Sequence, residues 1–208
     1  MRIMDAYPNT SARRSLGRPR EFDMDEALEA ALRVFRERGY NATSIADLRA
    51  AMKLTAGSLY KAFQDKRAIF IAALDRYMAA RNASLAGRLA TAHTGREKIL
   101  ATLYNYADVS YGAEGRRGCL ILSGVADIDT FDHKLAQRFR DALSRIERLF
   151  ADFIEQGIQD ASLPDHVDVQ ASARYLLCVV EGLRVIGKRG ATKSEVEAVV
   201  AQAMRAIE

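Results

Sequence analysis

Two short helices joined by a tight turn can be read from residues 43–66, and this stretch constrains the fold more than any other. Thr43 or Ser44 can cap the first helix, because a hydroxyl oxygen there accepts a free amide proton, and Asp47 completes a capping box with Ser44. Thr55 offers a second N-cap soon afterwards. The second helix spans only about two turns, so packing against neighbours must hold it. The pattern therefore predicts a helix, a turn and a short helix.

Longer amphipathic helices flank this pair. Asp23 caps the preceding helix, which ends at Gly39 with apolar residues along one face. Asp65 caps the following helix, whose apolar pattern continues for about 25 residues, or about 37 Å. Helical spacing recurs along the rest of the chain, and the whole sequence holds only 3 prolines. The chain is predicted to be all-α, with the glycine-rich segment 112–118 as a loop that lacks the residue order of a phosphate-binding loop.

Residues from about Glu21 to Arg81 resemble the DNA-binding signature of the TetR family of transcriptional regulators. The most specific part is the run Gly-x-Leu-Tyr-x-x-Phe-x-x-Lys. The residues that carry the resemblance at fixed spacing are Thr43, Ile45, Ala46, Leu54, Thr55, Gly57, Leu59, Tyr60, Phe63 and Lys66. One departure is Lys53, at the turn where the family usually has glycine. If φ is positive there, lysine costs about 1 kcal/mol relative to glycine.

The resemblance implies two helical domains. Residues 21–81 would form a three-helix, helix-turn-helix DNA-binding domain, and residues 82–208 a larger helical domain for effector binding and dimerisation. Residues 1–20 are predicted to be a flexible basic arm. The net charge of +4 arises in the N-terminal part of the chain, and this arm carries the excess of arginines. Arg18 and Arg20 flank a proline that holds the arm extended, so they can follow a DNA backbone or enter a minor groove. Solvated disorder without a DNA contact is the alternative for the first part of the arm.

The DNA contacts of the family carry over to two groups of residues. One group would hold phosphates through hydroxyl groups, an ammonium group and the amides at helix starts. Its members are Thr43, Ser44, Thr55, Tyr60 and Lys66. The other group begins the second helix of the pair, which would enter the major groove and read bases. Its members are Ala56, Gly57, Ser58 and Lys61.

A pocket for an unknown small-molecule effector is expected among the middle helices. The candidate lining residues are Leu103, Tyr104, Ala107, Cys119, Leu122, Phe139 and Leu143. Each is explained equally well as core. Cys119 follows two arginines and opens a short helix, which would favour a reactive thiolate, whereas its apolar successors suit an inert buried cysteine.

The last two helices carry apolar residues around much of their circumference and need partners on more than one side. In a protein resembling the TetR family they would pair with their copies as a four-helix homodimer interface. The candidate interface residues are Tyr175, Val179, Val180, Leu183, Val196, Val200 and Met204. Burial of both helices within their own subunit is the alternative.

These features together favour a ligand-responsive, DNA-binding homodimer that represses transcription from a near-palindromic operator on double-stranded DNA. The alternatives are a helical interaction module that no longer binds DNA and an enzyme with Cys119 as nucleophile. His93, His133 and His166 are isolated from one another, so we expect no catalytic residue, no metal site and no cofactor. Without a long apolar run or a signal-peptide pattern, the expected location is the cytoplasm, with no membrane partner.

Overall fold

The computed structural model describes residues 23–208, and all regular structure in that range is helical. The elements are α1 Met24–Arg38, α2 Ile45–Met52, α3 Ala56–Ala62, α4 Lys66–Leu89, α5 Gly95–Ala107, α6 Gly112–Arg117, α7 Leu120–Ala126, a 3₁₀ helix Ile128–Thr130, α8 His133–Gln159, α9 Val169–Arg189 and α10 Lys193–Arg205. The all-α prediction is confirmed. No helix in the described range is long and apolar enough to cross a membrane. The predicted arm over residues 1–20 lies outside the described residues.

The predicted caps begin the first four helices. Asp23 accepts from two amides of α1, and Ser44, not Thr43, is the N-cap of α2 in a capping box with Asp47. Thr55 accepts from the Ser58 amide at the start of α3, and the side chain of Asp65 accepts from the third amide of α4. Local side-chain chemistry therefore sets where the helices of the N-terminal unit begin.

One apolar cluster joins α1 to α4 with α7 and the start of α8. Its centre is a series of aromatic rings in which Phe35, Phe70 and Phe139 are fully buried. The Phe70 ring centroid lies 4.9 Å from that of Phe35 and 6.2 Å from that of Phe139. Helix α4 also continues without a break across residue 81. The helix-turn-helix unit thus shares its core with the larger helical part.

A second apolar cluster lies between α5, α8, α9 and α10. It contains five residues that were predicted at the dimer interface, and each is at most 4% exposed within the single subunit. These residues are Val180, Leu183, Val196, Val200 and Met204. That part of the interface prediction is wrong, because α9 and α10 use these side chains to pack on their own subunit. Tyr175 is exposed and Val179 is partly buried.

The glycine-rich segment predicted as a loop forms helix α6, so that prediction is wrong. Gly115 explains the difference, because it lets α6 lie against its neighbours. A Cβ at Gly115 would lie 2.7 Å from the carbonyl carbon of Ser110 and 3.2 Å from the carbonyl oxygen of Gly187. The glycine therefore serves close helix packing.

Helices α5 and α8 also meet at glycines. A Cβ at Gly95 would lie 2.1 Å from the Gly157 nitrogen and 2.3 Å from the Phe153 oxygen. Both atoms belong to the backbone of α8, which cannot rotate away as a side chain can. The crossing of the two helices therefore has no room for a methyl group.

We expect Gly95→Ala to destabilise the protein by at least about 1–3 kcal/mol, the usual cost of overpacking. Gly87→Ala in α4 is the matched control, because a Cβ there meets nothing within 4 Å. Alanine favours a helix interior over glycine by about 0.5–1 kcal/mol, so the control should gain stability. Urea denaturation at one protein concentration measures both variants. Equal stability of the two would contradict the close crossing.

Candidate nucleic-acid interface and adjoining cavity

The turn between α2 and α3 has a left-handed backbone at Lys53, the position where the TetR family usually has glycine. Lys53 has φ 55° and ψ 40°, a conformation that a lysine adopts at a cost of about 1–2 kcal/mol. The Leu54 amide donates to the Arg49 carbonyl oxygen at 3.1 Å and closes the turn. The Lys53 side chain is exposed beside the start of α3. The structure thus places a cation at the edge of the second helix.

Helix α3 has a buried inner side and an open outer side. Leu59 is fully buried and Leu54 nearly so, and they anchor the helix to the first cluster. On the outer side Tyr60 is 56% exposed, although large aromatic rings are usually covered. The other residues predicted to contact DNA from this helix are exposed or half-buried. They are Thr55, Ala56, Gly57, Ser58 and Lys61.

Thr43 is wrong as a predicted phosphate contact. Its side chain is 1% exposed, and its hydroxyl donates to the Gly39 carbonyl oxygen at 2.6 Å. It closes the turn that follows α1 and does not face outward. Ser44 is exposed, but both its amide and its hydroxyl donate to the same Asp47 oxygen, at 2.9 and 2.6 Å. Neither of these donors is free for a phosphate.

Asp47 is held as an anion at this helix start. The hydrogen bond from the Ser44 hydroxyl is the largest of the effects that lower the pKa of the Asp47 carboxyl, and Arg38 adds to it. The nearest Arg38 nitrogen lies 2.6 Å from Asp47. A phosphate at this position would meet a carboxylate, which further weakens the Ser44 prediction.

Lys66 is held by groups of the protein itself, and its phosphate contact stays a prediction. Its ammonium group donates to the carbonyl oxygens of Tyr40 and Thr43, at 3.0 Å each. The same nitrogen lies 4.3 Å from the centroid of the Tyr40 ring. Lys66 therefore binds the loop between α1 and α2 to the start of α4. The nearest clue in the sequence is an aromatic residue directly after the helix-ending Gly39.

Arg18 and Arg20 lie outside the described residues, so their predicted DNA contacts are not tested. Within the described range, two other cations stand on the exposed surface around α3. They are Arg49 and Lys53, and Arg49 was not among the predicted contacts. The sequence shows an arginine on α2 but not which way its side chain points. Arg49 could therefore be recognised as a candidate DNA contact only from the structure.

A cavity of about 270 Å³ lies behind the helix-turn-helix unit, between α4, α5 and α8, with α7 and α9 contributing to its wall. Of the seven predicted lining residues only Cys119 borders it. Leu103, Tyr104 and Ala107 instead face the second cluster. Leu122, Phe139 and Leu143 face the first cluster. These six predictions are wrong, because α5 and α8 turn other sides to the cavity, with Asn105, Tyr106 and Ile146.

Cys119 is 9% exposed and borders the cavity. The Tyr77 hydroxyl donates to its sulfur over 3.5 Å. Burial, with a smaller contribution from Cys119, raises the pKa of Tyr77 well above its ordinary value, so that hydroxyl stays neutral. Among the described residues, no histidine lines the cavity. The histidine that usually activates a cysteine nucleophile is therefore not part of the described wall.

The carbonyl oxygen of Gly118, directly before Cys119, connects the two parts of the molecule. Arg36 of α1 donates to it through Nε at 3.0 Å and Nη2 at 2.7 Å. Arg184 of α9 donates to the same oxygen at 3.0 Å. Arg36 also forms an ion pair with Glu114 of α6 at 2.6 Å. A helix of the helix-turn-helix unit thus contacts the residue directly before Cys119, which borders the cavity.

The internal bonds of Lys66 predict that it supports folding. Lys66→Ala should lower the free energy of unfolding by about 1.5–3 kcal/mol, the usual range for hydrogen bonds that involve a charged group. Lys61→Ala is the matched control, because Lys61 is exposed on α3. Its substitution should leave the free energy of unfolding almost unchanged. Thermal and urea unfolding measure both. If Lys66→Ala is as stable as Lys61→Ala, the bonds to the loop contribute nothing.

Family models match both parts of the chain. Residues 27–73 match the model for bacterial regulatory proteins of the tetR family. Residues 95–206 match the model for the tetracyclin repressor-like C-terminal domain. The second match alone covers more than half of the chain, and the first covers α2 and α3.

Relatives of known family match over nearly the whole length. The chain is 28% identical over 194 residues to the HTH-type transcriptional repressor ComR of Escherichia coli (strain K12), with 93% of this chain and 92% of the relative covered. It is 26% identical over 191 residues to the HTH-type transcriptional repressor BdcR of the same strain, with 92% of each covered.

A solved structure agrees with these matches. A cysteine mutant of the TetR family transcriptional regulator CifR, complexed with 26bp double-strand operator DNA, has a TM-score of 0.80 and 31% identity to this chain. The similarity covers 92% of this chain and 100% of that one. On its sequence, its fold and its paired helices, the chain belongs to the TetR family of bacterial regulatory proteins.

Proposed function

We propose that the protein is a homodimeric repressor that binds a near-palindromic operator and releases it when a small molecule enters the cavity between α4, α5 and α8. Membership of the family makes it a DNA-binding transcriptional regulator. The names of ComR and BdcR describe them as repressors, which supports repression here. The observation that carries the proposal is α3, whose inner side is anchored by Leu59 and whose outer side is open.

In this proposal α3 enters the major groove. Its first turn carries Ala56, Gly57 and Ser58, and small side chains there let the backbone approach the bases. A Cβ at Gly57 would meet nothing within 4 Å, so this glycine leaves room for DNA and serves no internal packing. Tyr60 would bind a phosphate through its hydroxyl group, and Lys61 would reach a base.

The homodimer would form through the outward faces of α9 and α10. On α9 the exposed residues Tyr175, Cys178, Gly182 and Val185 follow helical spacing. Val185 is 54% exposed, and a Cβ at Gly182 would meet nothing within 4 Å. On α10 the exposed alanines are Ala198 and Ala201. Small and apolar residues on two adjacent helices suit close packing against a second copy.

The alternative functions have less support. The described residues hold no group of three or more histidine, cysteine or acidic side chains that could bind a metal ion. Cys119 lies next to a tyrosine hydroxyl and lacks a histidine partner in the cavity. An interaction module without DNA binding would have no need for the open side of α3. A signalling role for the Cys119 thiol stays a prediction.

The DNA contacts of α3 can be tested by gel shift on DNA from upstream of the protein's own gene. Lys61→Ala should weaken operator binding by about 1–3 kcal/mol with a smaller loss on random DNA, because a base contact is lost. Tyr60→Phe should weaken binding to both DNAs by similar factors, because a phosphate contact is lost. Arg148→Ala, an exposed charge on α8, is the control. Unchanged binding by both α3 variants would overturn the proposed docking.

The dimer interface can be tested at Val185. Val185→Glu should give folded monomers with greatly weakened operator binding, because a charge would be buried between subunits. The native dimer should shield Cys178 from maleimide, and the variant should expose it. Analytical ultracentrifugation and the rate of labelling measure these effects. A dimeric variant, or equal labelling of Cys178 in both proteins, would place the interface elsewhere.

A further inference from the structure

The cavity wall includes a carboxylate with one oxygen that no described residue reaches with a hydrogen bond. Glu181 of α9 borders the cavity, and its Oε2 atom is shielded from solvent. No described residue forms a hydrogen bond with this oxygen. Burial raises the pKa of the Glu181 carboxyl, and the nearby Arg184 only partly offsets that effect. An ionised carboxylate in such a place is costly unless a donor reaches it.

Arg184 does not provide that donor. Its terminal nitrogens donate to the Ser110 hydroxyl at 3.2 Å and to the Gly118 carbonyl oxygen at 3.0 Å. Its Nε atom is itself buried without a partner. The guanidinium group is therefore directed towards the backbone around Gly118 and contributes only its charge to Glu181.

The two arginines that line the cavity have partners elsewhere in the protein. Arg81 donates to the Asn105 carbonyl oxygen at 2.6 Å, and its guanidinium lies 5.8 Å from the centroid of the Tyr106 ring. Arg145 is exposed at the cavity mouth and donates to Asn82 at 3.0 Å. Each of these cations therefore has one hydrogen-bond partner within the protein, and neither of those partners is Glu181.

We propose that this cavity takes a compact, largely apolar molecule with one protonated amine, whose N–H groups bind the Glu181 carboxylate. The aromatic rings of Tyr77 and Tyr106 border the same space and suit both a hydrocarbon body and a nearby cation. The cavity volume of about 270 Å³ is close to the lower limit for ligand pockets, about 300 Å³. It therefore fits a small molecule with one ring or a short chain. The proposal rests on the proposed function, in which occupancy of this cavity releases the operator.

An amine cation fits better than an anion or a neutral molecule. An anion would add a second negative charge beside Glu181, which has no donor of its own. A neutral molecule with an apolar end would leave the carboxylate unsatisfied or force it to take up a proton. A cation supplies both the charge and the donors that are missing, and charge-assisted hydrogen bonds are the strongest kind available here.

The test uses three probes with one hydrocarbon body: phenylbutylamine, phenylbutanol and phenylbutyrate. Calorimetry on the full-length protein should show the amine binding about tenfold or more tightly than the other two. Glu181→Gln keeps the size of the side chain and should remove that preference. Arg145→Gln at the mouth is the matched control and should keep it. A preference for phenylbutyrate, or an amine preference that survives in Glu181→Gln, would overturn the proposal.

The pH dependence gives a second readout. An amine of this kind has a pKa near that of lysine, about 10.4, so it stays protonated across the neutral and mildly acidic range. Its affinity should fall as the pH is lowered through the raised pKa of Glu181, because the proton and the ligand compete for one carboxylate. Glu181→Gln should bind the amine weakly at every pH. A wild-type affinity that does not change with pH would count against Glu181 as the binding group.

Operator release is measured separately, by adding each probe to the protein bound to DNA. Loss of the amine preference in Glu181→Gln supports the ligand class whether or not DNA is released. Failure of a bound amine to release DNA would instead contradict the proposed function. Unfolding curves of Glu181→Gln and Arg145→Gln confirm that both variants fold, so a lost preference cannot arise from a lost cavity.

Discussion

The Gly118 carbonyl oxygen holds the structure together between its two apolar clusters. It accepts hydrogen bonds from Arg36 of α1 and from Arg184 of α9. Both arginines are buried, at 8% and 2% exposure, and buried guanidinium groups are stable only when acceptors surround them. The positions of α1, α9 and the turn before Cys119 therefore depend on one another. This arrangement also fixes the wall of the cavity.

The same contacts give the cavity two physical routes to the DNA-binding unit. One is α4, a single helix whose first half packs against α1 and whose middle brings Tyr77 and Arg81 to the cavity. The other is the Arg36 contact with the residue before Cys119. A ligand that favours a different position of either element would change the direction of α3. Under the proposed function, repression is lost in this way.

The predicted DNA-binding residues illustrate how far residue type and spacing lead. Thr55, Tyr60 and Lys61 lie on the exposed side of α3, where the family resemblance implied them. Thr43 and Lys66 belong to the same signature but bind the loop between α1 and α2. Lys66 reaches across 23 and 26 residues of chain to its partners. A signature residue can therefore support the DNA-binding unit without touching DNA, and only its tertiary contacts distinguish the two roles.

The sequence by itself determined the all-α fold, the helix pair and the caps, because a capping side chain and its amide lie within three residues of each other. The tertiary structure decided which side of each helix faces the core, the cavity or the outside. Successive residues on a helix point about 100° apart, so Leu103 is enclosed in the second cluster, whereas Tyr106 packs against that cluster and also borders the cavity. Val180 and Val185 differ in the same way. The burial of Glu181 without a partner also depends on five helices that are distant in the chain, and no local pattern could reveal it.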